Sequence, residues 1–239
     1  MKPQIVLEDW RGWHNTHESV KKVEEDFAYK NLSTIWIIPS RGSIPAKAVQ
    51  SWMNIIPPMN QRMVRVFVLG AEIGAAYEDA INLILTSPEL ADYDWQYILT
   101  VEEDNMPPPD GLVKLYKGMD EYDVVGGLYW GKGEEGRPMI YGNPAEMPKN
   151  FIPQVPLPDQ IQPCNGLGMG FTLFKLSIFK DPRWERPFFK TVSEWRNGHY
   201  AMSTQDLYFF EKAAKLGYRF ACHTGVRVGH YDLQNDRIW

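Results

Sequence analysis

The chain has 239 residues, 44% apolar and 23% charged, with a formal charge of −5, so neither a disordered tail nor a coiled coil accounts for it. No Lys/Arg block supplies the electrostatic footprint of a nucleic-acid binder, and an anionic ligand would have to be met locally, by a metal ion or a helix N-terminus. Aromatic residues reach 13% with nine Trp, which suits a thick core or a surface for flat and ring-shaped ligands.

Residues 1–33 read as a polar N-terminal extension, in which Ser19 to Tyr29 fits a short helix. The first ten residues lack the charged start and apolar stretch of a signal peptide. Thr34 to Ile38 is a continuous apolar, β-branched run that stops at Pro39-Ser40-Arg41-Gly42, the signature of a central parallel strand. Pro45 to Asn54 predicts a helix with proline at its start. Val64 to Leu69 predicts a second strand, and Glu72 to Thr86 a helix with Ala76, Ala80 and Ile84 on one stripe. Tyr97 to Val101 is a third apolar strand that runs directly into Glu102-Glu103-Asp104-Asn105. A helix near Asp110 to Met119 and a strand from Asp123 to Tyr129 follow. This β-α-β-α-β-α-β order predicts a single α/β domain over 34–239, with a mainly parallel central sheet and helices on both faces. The domain divides into residues 34–130 and 131–239.

The stretch from Gly131 to Pro163 is proline-rich with few periodic apolar positions, and reads as a long irregular excursion, a candidate wall or lid. Cys164 to Phe179 should return to the sheet. Asp206 to Leu216 is an amphipathic helix closed by Gly217, and Tyr218 to Cys222 is a last strand before the tail Val226 to Asp232. The two cysteines, Cys164 and Cys222, make no disulfide framework or zinc pattern, so a reducing cytoplasm is expected. No apolar run approaches the roughly 20 residues that span a bilayer, which leaves only peripheral membrane association.

Glu102 and Asp104 stand where a buried strand has just ended, the place where open α/β sheets bind ligands. Strand alternation would point both to one side. Two carboxylates there repel unless a cation joins them, and oxygen donors suit Mg²⁺ or Mn²⁺. The competing reading is a solvated loop, or a cap on the next helix. Asp206 has a similar pair of readings: Ser203-x-x-Asp206 fits a capping box, and a carboxylate at a helix N-terminus keeps a low pKa while facing a cleft. His230 is either a packed residue or a metal ligand, with His223 a weaker candidate; His14 and His17 read as structural or exposed. In Gly166-x-Gly168-x-Gly170 the third spacing is wrong for a dinucleotide motif; ligand approach or tight packing explains these glycines. Trp130, Tyr141 and Trp195 could be sugar platforms or core anchors.

Together these segments resemble the GT-A glycosyltransferases, in particular the family 2-like, DxD-type nucleotide-sugar transferases. The resemblance rests on strand-Glu102-x-Asp104 followed by Pro107-Pro108, on Pro39-Ser40-Arg41, on Asp123-Val-Val-Gly-Gly, on Asn165 to Phe171, on Thr204-Gln205-Asp206, and on Val228-Gly229-His230. It covers about residues 34–232. It departs in having Glu102 for the usual first Asp and Gln205 for the usual Glu before the base. The resemblance implies a Rossmann-like GT-A fold and a metal-dependent transfer from a UDP- or GDP-sugar to a glycan, lipid or other hydroxyl acceptor, with inversion. In that scheme residues 34–130 are the nucleotide-sugar-binding half and 131–239 the acceptor and catalytic half; Asp104, His230 and Glu102 hold Mn²⁺ or Mg²⁺, and Pro39, Ser40, Arg41, Glu102 and Glu103 contact the donor. Asp206 takes the acceptor's proton. The alternatives are a nucleotidyltransferase, which usually needs a basic Gly-rich loop after the first strand, and a non-catalytic carbohydrate-binding protein on the same scaffold.

Overall fold

The computed structural model describes residues 4–9, 30–196 and 199–239. Ser19 to Tyr29, His14 and His17 lie outside the described residues. The main sheet contains β1 (Gln4–Asp9), β2 (Thr34–Ser40), β3 (Met63–Leu69) and β4 (Tyr97–Val101). After the short β5 (Asn105–Met106) come β6 (Val124–Leu128), β7 (Ile140–Tyr141), β8 (Ile161–Cys164), β9 (Gly166–Leu167) and β10 (Phe171–Lys175). A hairpin of β11 (Val192–Arg196) and β12 (His199–Ser203) precedes β13 (Phe220–Arg227), β14 (Gly229–Asp232) and β15 (Arg237–Ile238). The order across the main sheet is β1-β3-β2-β4-β10-β6-β13-β8.

The sheet is mainly parallel: β2, β3, β4, β6 and β13 run one way, and β1, β8 and β10 run against them. β2 is buried along its whole length, which is why its sequence is apolar at successive positions rather than alternating. Two features are absent from the sequence reading. Gln4–Asp9, inside the stretch read as a polar extension, pairs antiparallel with β3 as an edge strand. β10 inserts antiparallel between β4 and β6, although the local pattern of Cys164 to Phe179 says nothing about direction. The proline-rich excursion is mostly irregular, but its end is β8, an edge strand whose Pro163 is tolerated there.

Helices cover both faces. Ile35 and Ile37 of β2 face α2 (Ile73–Thr86) and α5 (Gln205–Lys215), while Trp36 and Ile38 face α1 (Ala46–Met53) and α4 (Gly111–Tyr116). The short α3 (Pro88–Ala91) closes the turn after α2. On one side α5 contributes Phe209 and Phe210 to an aromatic cluster with Phe174, Phe179 and Trp184. Gly217 ends α5 at φ +92°, the cap its position predicts. The chain leaves β2 towards β3 on one side and reaches β4 on the other, so the crevice at the carboxyl ends of β2 and β4 is a topological switch point. No helix among the described residues is long and apolar enough to cross a membrane.

Candidate active site at the ends of β2 and β4

A cavity of about 420 Å³ opens at that switch point, within the size range of small-ligand sites. It is lined by Pro39, Ser40 and Arg41 from the end of β2, by Glu102, Glu103 and Asp104 after β4, and by Glu72 and Gln205 at the starts of α2 and α5. The acidic triplet does reach one cavity, but by a turn rather than by strand alternation. Asn105 N–H donates to Glu102 O at 3.0 Å, which bends the chain straight after β4. The turn is pinned from α1, where Trp52 Nε1 donates to Asn105 O at 2.8 Å.

The three acids have different partners. Glu103 is buried, and its carboxylate accepts from Ser40 Oγ at 2.7 Å, Arg41 N at 2.9 Å and Arg41 Nε at 2.5 Å. Both its oxygens are therefore engaged in clamping the loop after β2. Glu102 turns towards α2 and accepts from Tyr77 Oη at 3.1 Å. Burial, then the charges of Asp104 and Asp206, pushes its carboxyl up to about 7. Asp104 moves the other way. Burial alone would raise it, but His230 and Lys132 outweigh that and hold it at about 2.

His230 reaches Asp104 through backbone pairing. β14 runs antiparallel to β5, with His230 opposite Asn105, and Tyr231 N–H donates to Asp104 O at 2.7 Å. The imidazole Nε2 stands 3.6 Å from Asp104 Oδ2. Its Nδ1 lies 2.8 Å from Trp130 O. A carbonyl can only accept, so Nδ1 carries the hydrogen and Nε2 is the nitrogen aimed at Asp104, the usual orientation of a metal-ligating histidine. Among the described residues no cluster of three or more metal-ligating side chains forms. One carboxylate and one imidazole fit a cation that takes its remaining ligands from water and substrate phosphates, as Mg²⁺ and Mn²⁺ do. His223 is not part of this group; its charged neighbours are Lys114, Lys117 and Asp110.

Asp206 sits in the first turn of α5, almost fully buried. The N-cap is Thr204, one residue later than the capping box required, so that box does not form. Instead the Asp206 carboxylate accepts from Leu207 N at 2.8 Å and from Thr204 Oγ1. Its pKa is raised rather than held low, because burial outweighs those hydrogen bonds. Asp206 and Asp104 both act on Glu102, which places the three carboxyls in one electrostatic neighbourhood.

The glycine-rich segment is explained by packing. A Cβ on Gly168 would stand 2.1 Å from Tyr129 Oη, and one on Gly170 would stand 2.4 Å from Asn105 Oδ1. These positions admit the chain's own side chains, not a ligand. Tyr141 Oη donates to Met139 Sδ at 3.0 Å and Trp130 packs against the core; Trp195 lies on β11. Lys132 and Tyr77 were not apparent as site residues. Only the flanking glycines of Lys132 hint at a special turn, and Tyr77 reads as one more apolar position of a helix.

No protein-family model matches the chain, and no curated protein matches it by sequence. Among solved structures it is similar to A197 from STIV, at 20% identity and a TM-score of 0.60, over 86% of this chain and 92% of that one. Weaker likenesses are TarS 1–349 of S. aureus (14% identity, TM-score 0.46, 80% of this chain and 57% of that one) and the inositol-1-phosphate CTP transferase from T. maritima (12%, 0.45, 87% and 93%). The likeness to A197 concerns the fold, a mixed α/β architecture of the GT-A type.

Proposed function

We propose that the protein is a metal-dependent glycosyltransferase that moves a sugar from a nucleotide-diphosphate sugar, UDP- or GDP-linked, to a hydroxyl acceptor with inversion. The reading rests on one juxtaposition. Asp104 and His230, distant in sequence, meet at 3.6 Å with the imidazole held in a ligating orientation, beside a cavity shared with Pro39 to Arg41 and the start of α5.

Asp104 and His230 would hold Mn²⁺ or Mg²⁺, and Glu102, which lines the same cavity, would serve the metal or a ribose hydroxyl. A divalent cation bound there supplies positive charge to the diphosphate as it departs. Arg41, presented by the loop that Glu103 clamps, would face the donor together with Pro39 and Ser40. Glu103 itself is a positioning residue in this scheme. Asp206 would accept the acceptor hydroxyl's proton as that oxygen attacks the anomeric carbon from the face opposite the leaving group. The raised pKa of its buried carboxyl brings it nearer the range useful to a general base. Cys164 and Cys222, both buried and unbridged, support a cytoplasmic setting. A glycan or lipid acceptor would enter from the side of the proline-rich excursion. A nucleotidyltransferase is less well supported, since the loop after β2 offers one Arg, already paired with Glu103, in place of a basic phosphate loop.

A thermal-shift screen of nucleoside diphosphates and nucleotide sugars with Mn²⁺ tests the reading. A stabilising nucleotide whose effect vanishes with chelator and in Asp104→Ala is expected. Asp206→Asn should keep that shift and lose transfer. Nucleotide binding indifferent to both chelator and Asp104→Ala would refute the proposed site.

A further inference from the structure

Lys132 has no place in the scheme so far, yet its ammonium lies 2.5 Å from Asp104 Oδ2, the same oxygen that faces His230 Nε2. It is delivered by a tight turn. Gly131 N donates to Arg137 O and Gly136 N to Gly133 O, both at 2.9 Å, and Trp130 bridges Pro138 at the base. A Cβ on Gly136 would stand 2.0 Å from Gly131 O, so the turn's closure depends on glycine there. Trp130 is also the residue whose carbonyl orients His230. One short element therefore aims the imidazole and places a cation on the same carboxylate. The pair is partly enclosed, with side-chain exposures of 33% for Lys132 and 17% for Asp104, so solvent screens it less than an open surface pair. Asp232 is a second carboxylate within electrostatic reach of Lys132.

A divalent ion held by Asp104 and His230 would have to sit against that carboxylate, within a few ångströms of the ammonium. Like charges at that range repel strongly in a partly enclosed site. The two cations thus compete for Asp104. We propose that Lys132 is a tethered cation that neutralises Asp104 until a divalent ion displaces it, and that then pairs with the diphosphate of the donor. This rests on the metal and donor reading above and deepens it. Metal alone binds weakly, because it must evict the ammonium. A nucleoside diphosphate gives the evicted ammonium a new anionic partner, so metal and nucleotide bind synergistically.

Titration of Mn²⁺, followed by the electron paramagnetic resonance signal of the free ion, separates the cases. Wild type, Lys132→Met, Lys132→Arg and Asp104→Asn are compared with and without UDP, and with and without GDP. Lys132→Met is expected to bind Mn²⁺ alone about tenfold tighter than wild type, and the strengthening by nucleotide should shrink by a similar factor. Lys132→Arg, which keeps the charge, should resemble wild type. Mn²⁺ binding that depends on Asp104 but is the same in Lys132→Met and wild type would overturn the tether alone. Lys132→Arg behaving as Lys132→Met would do the same, because charge would not be the cause. Mn²⁺ binding unaffected by Asp104→Asn, or absent from every variant, would remove the metal site itself and the tether with it.

Discussion

Glu102→Gln should stabilise the protein above neutral pH and leave it unchanged in acid. Burial, with help from Asp104 and Asp206, lifts the Glu102 carboxyl from 4.5 to about 7. Between those values the folded protein keeps a proton that the unfolded chain has released. Stability therefore falls as pH rises through that interval, and the whole cost is present above about pH 7. Taken in full, a shift of that size corresponds to about 3 kcal/mol. The side chain borders a solvent-accessible cavity, and partial solvation brings the expected cost to about 2 kcal/mol. Glutamine has nearly the same shape, still accepts from Tyr77 Oη and carries no charge, so the substitution removes the cost and little else. The assay is urea unfolding of chelator-treated protein at a series of pH values. Wild type and variant should nearly coincide near pH 4.5, diverge as pH rises towards about 7, and keep a constant gap above that, with the variant more stable. Midpoints that stay parallel across the range would refute the claim that Glu102 is forced to ionise at a cost.

Glu103→Ala should cost about 2 kcal/mol in urea unfolding, chiefly because Ser40 Oγ and Arg41 N–H lose their acceptor. The ion pair itself contributes little, since the Arg41 side chain is 85% exposed. The same variant should bind nucleotide more weakly, because the loop after β2 is no longer held; unchanged stability and binding would show that the clamp has no role. His230→Ala should lower Mn²⁺ affinity about tenfold or more by titration, and an unaltered affinity would make His230 a structural residue. Gly168→Ala should destabilise by about 1–3 kcal/mol in thermal or urea unfolding, because the new methyl meets the buried ring of Tyr129. A neutral effect would mean that the Tyr129 ring can withdraw.

Several parts of the site could be read directly from the chain because they depend on local burial. Tyr97–Val101 is a strand with the bounds its apolar run predicts, and the acids that follow it line a cavity as the end of a buried strand requires. The helix expected over Glu72 to Thr86 begins at Ile73 because the Glu72 side chain caps it by accepting from Ala75 N. Gly217 ends the last helix at its expected place. The Asp206 environment differs from what its local sequence implies in two ways. The cap fell one residue later than the pattern suggested, and burial, which a helix-start motif does not reveal, outweighed the local hydrogen bonds.

The chain by itself determined the buried strands, the helices that cover them and the acidic turn at a strand end, since each is encoded in the periodicity and turn chemistry of a few neighbouring residues. Tertiary structure alone decided that β10 would run antiparallel through the middle of the sheet, that β14 would carry His230 to β5, and that a glycine-closed turn would set Lys132 on Asp104. Those outcomes depend on which distant segments pair. Pairing is selected by the burial and hydrogen bonding of the whole sheet against the entropy of closing long loops, and neither quantity is written in any short stretch of sequence.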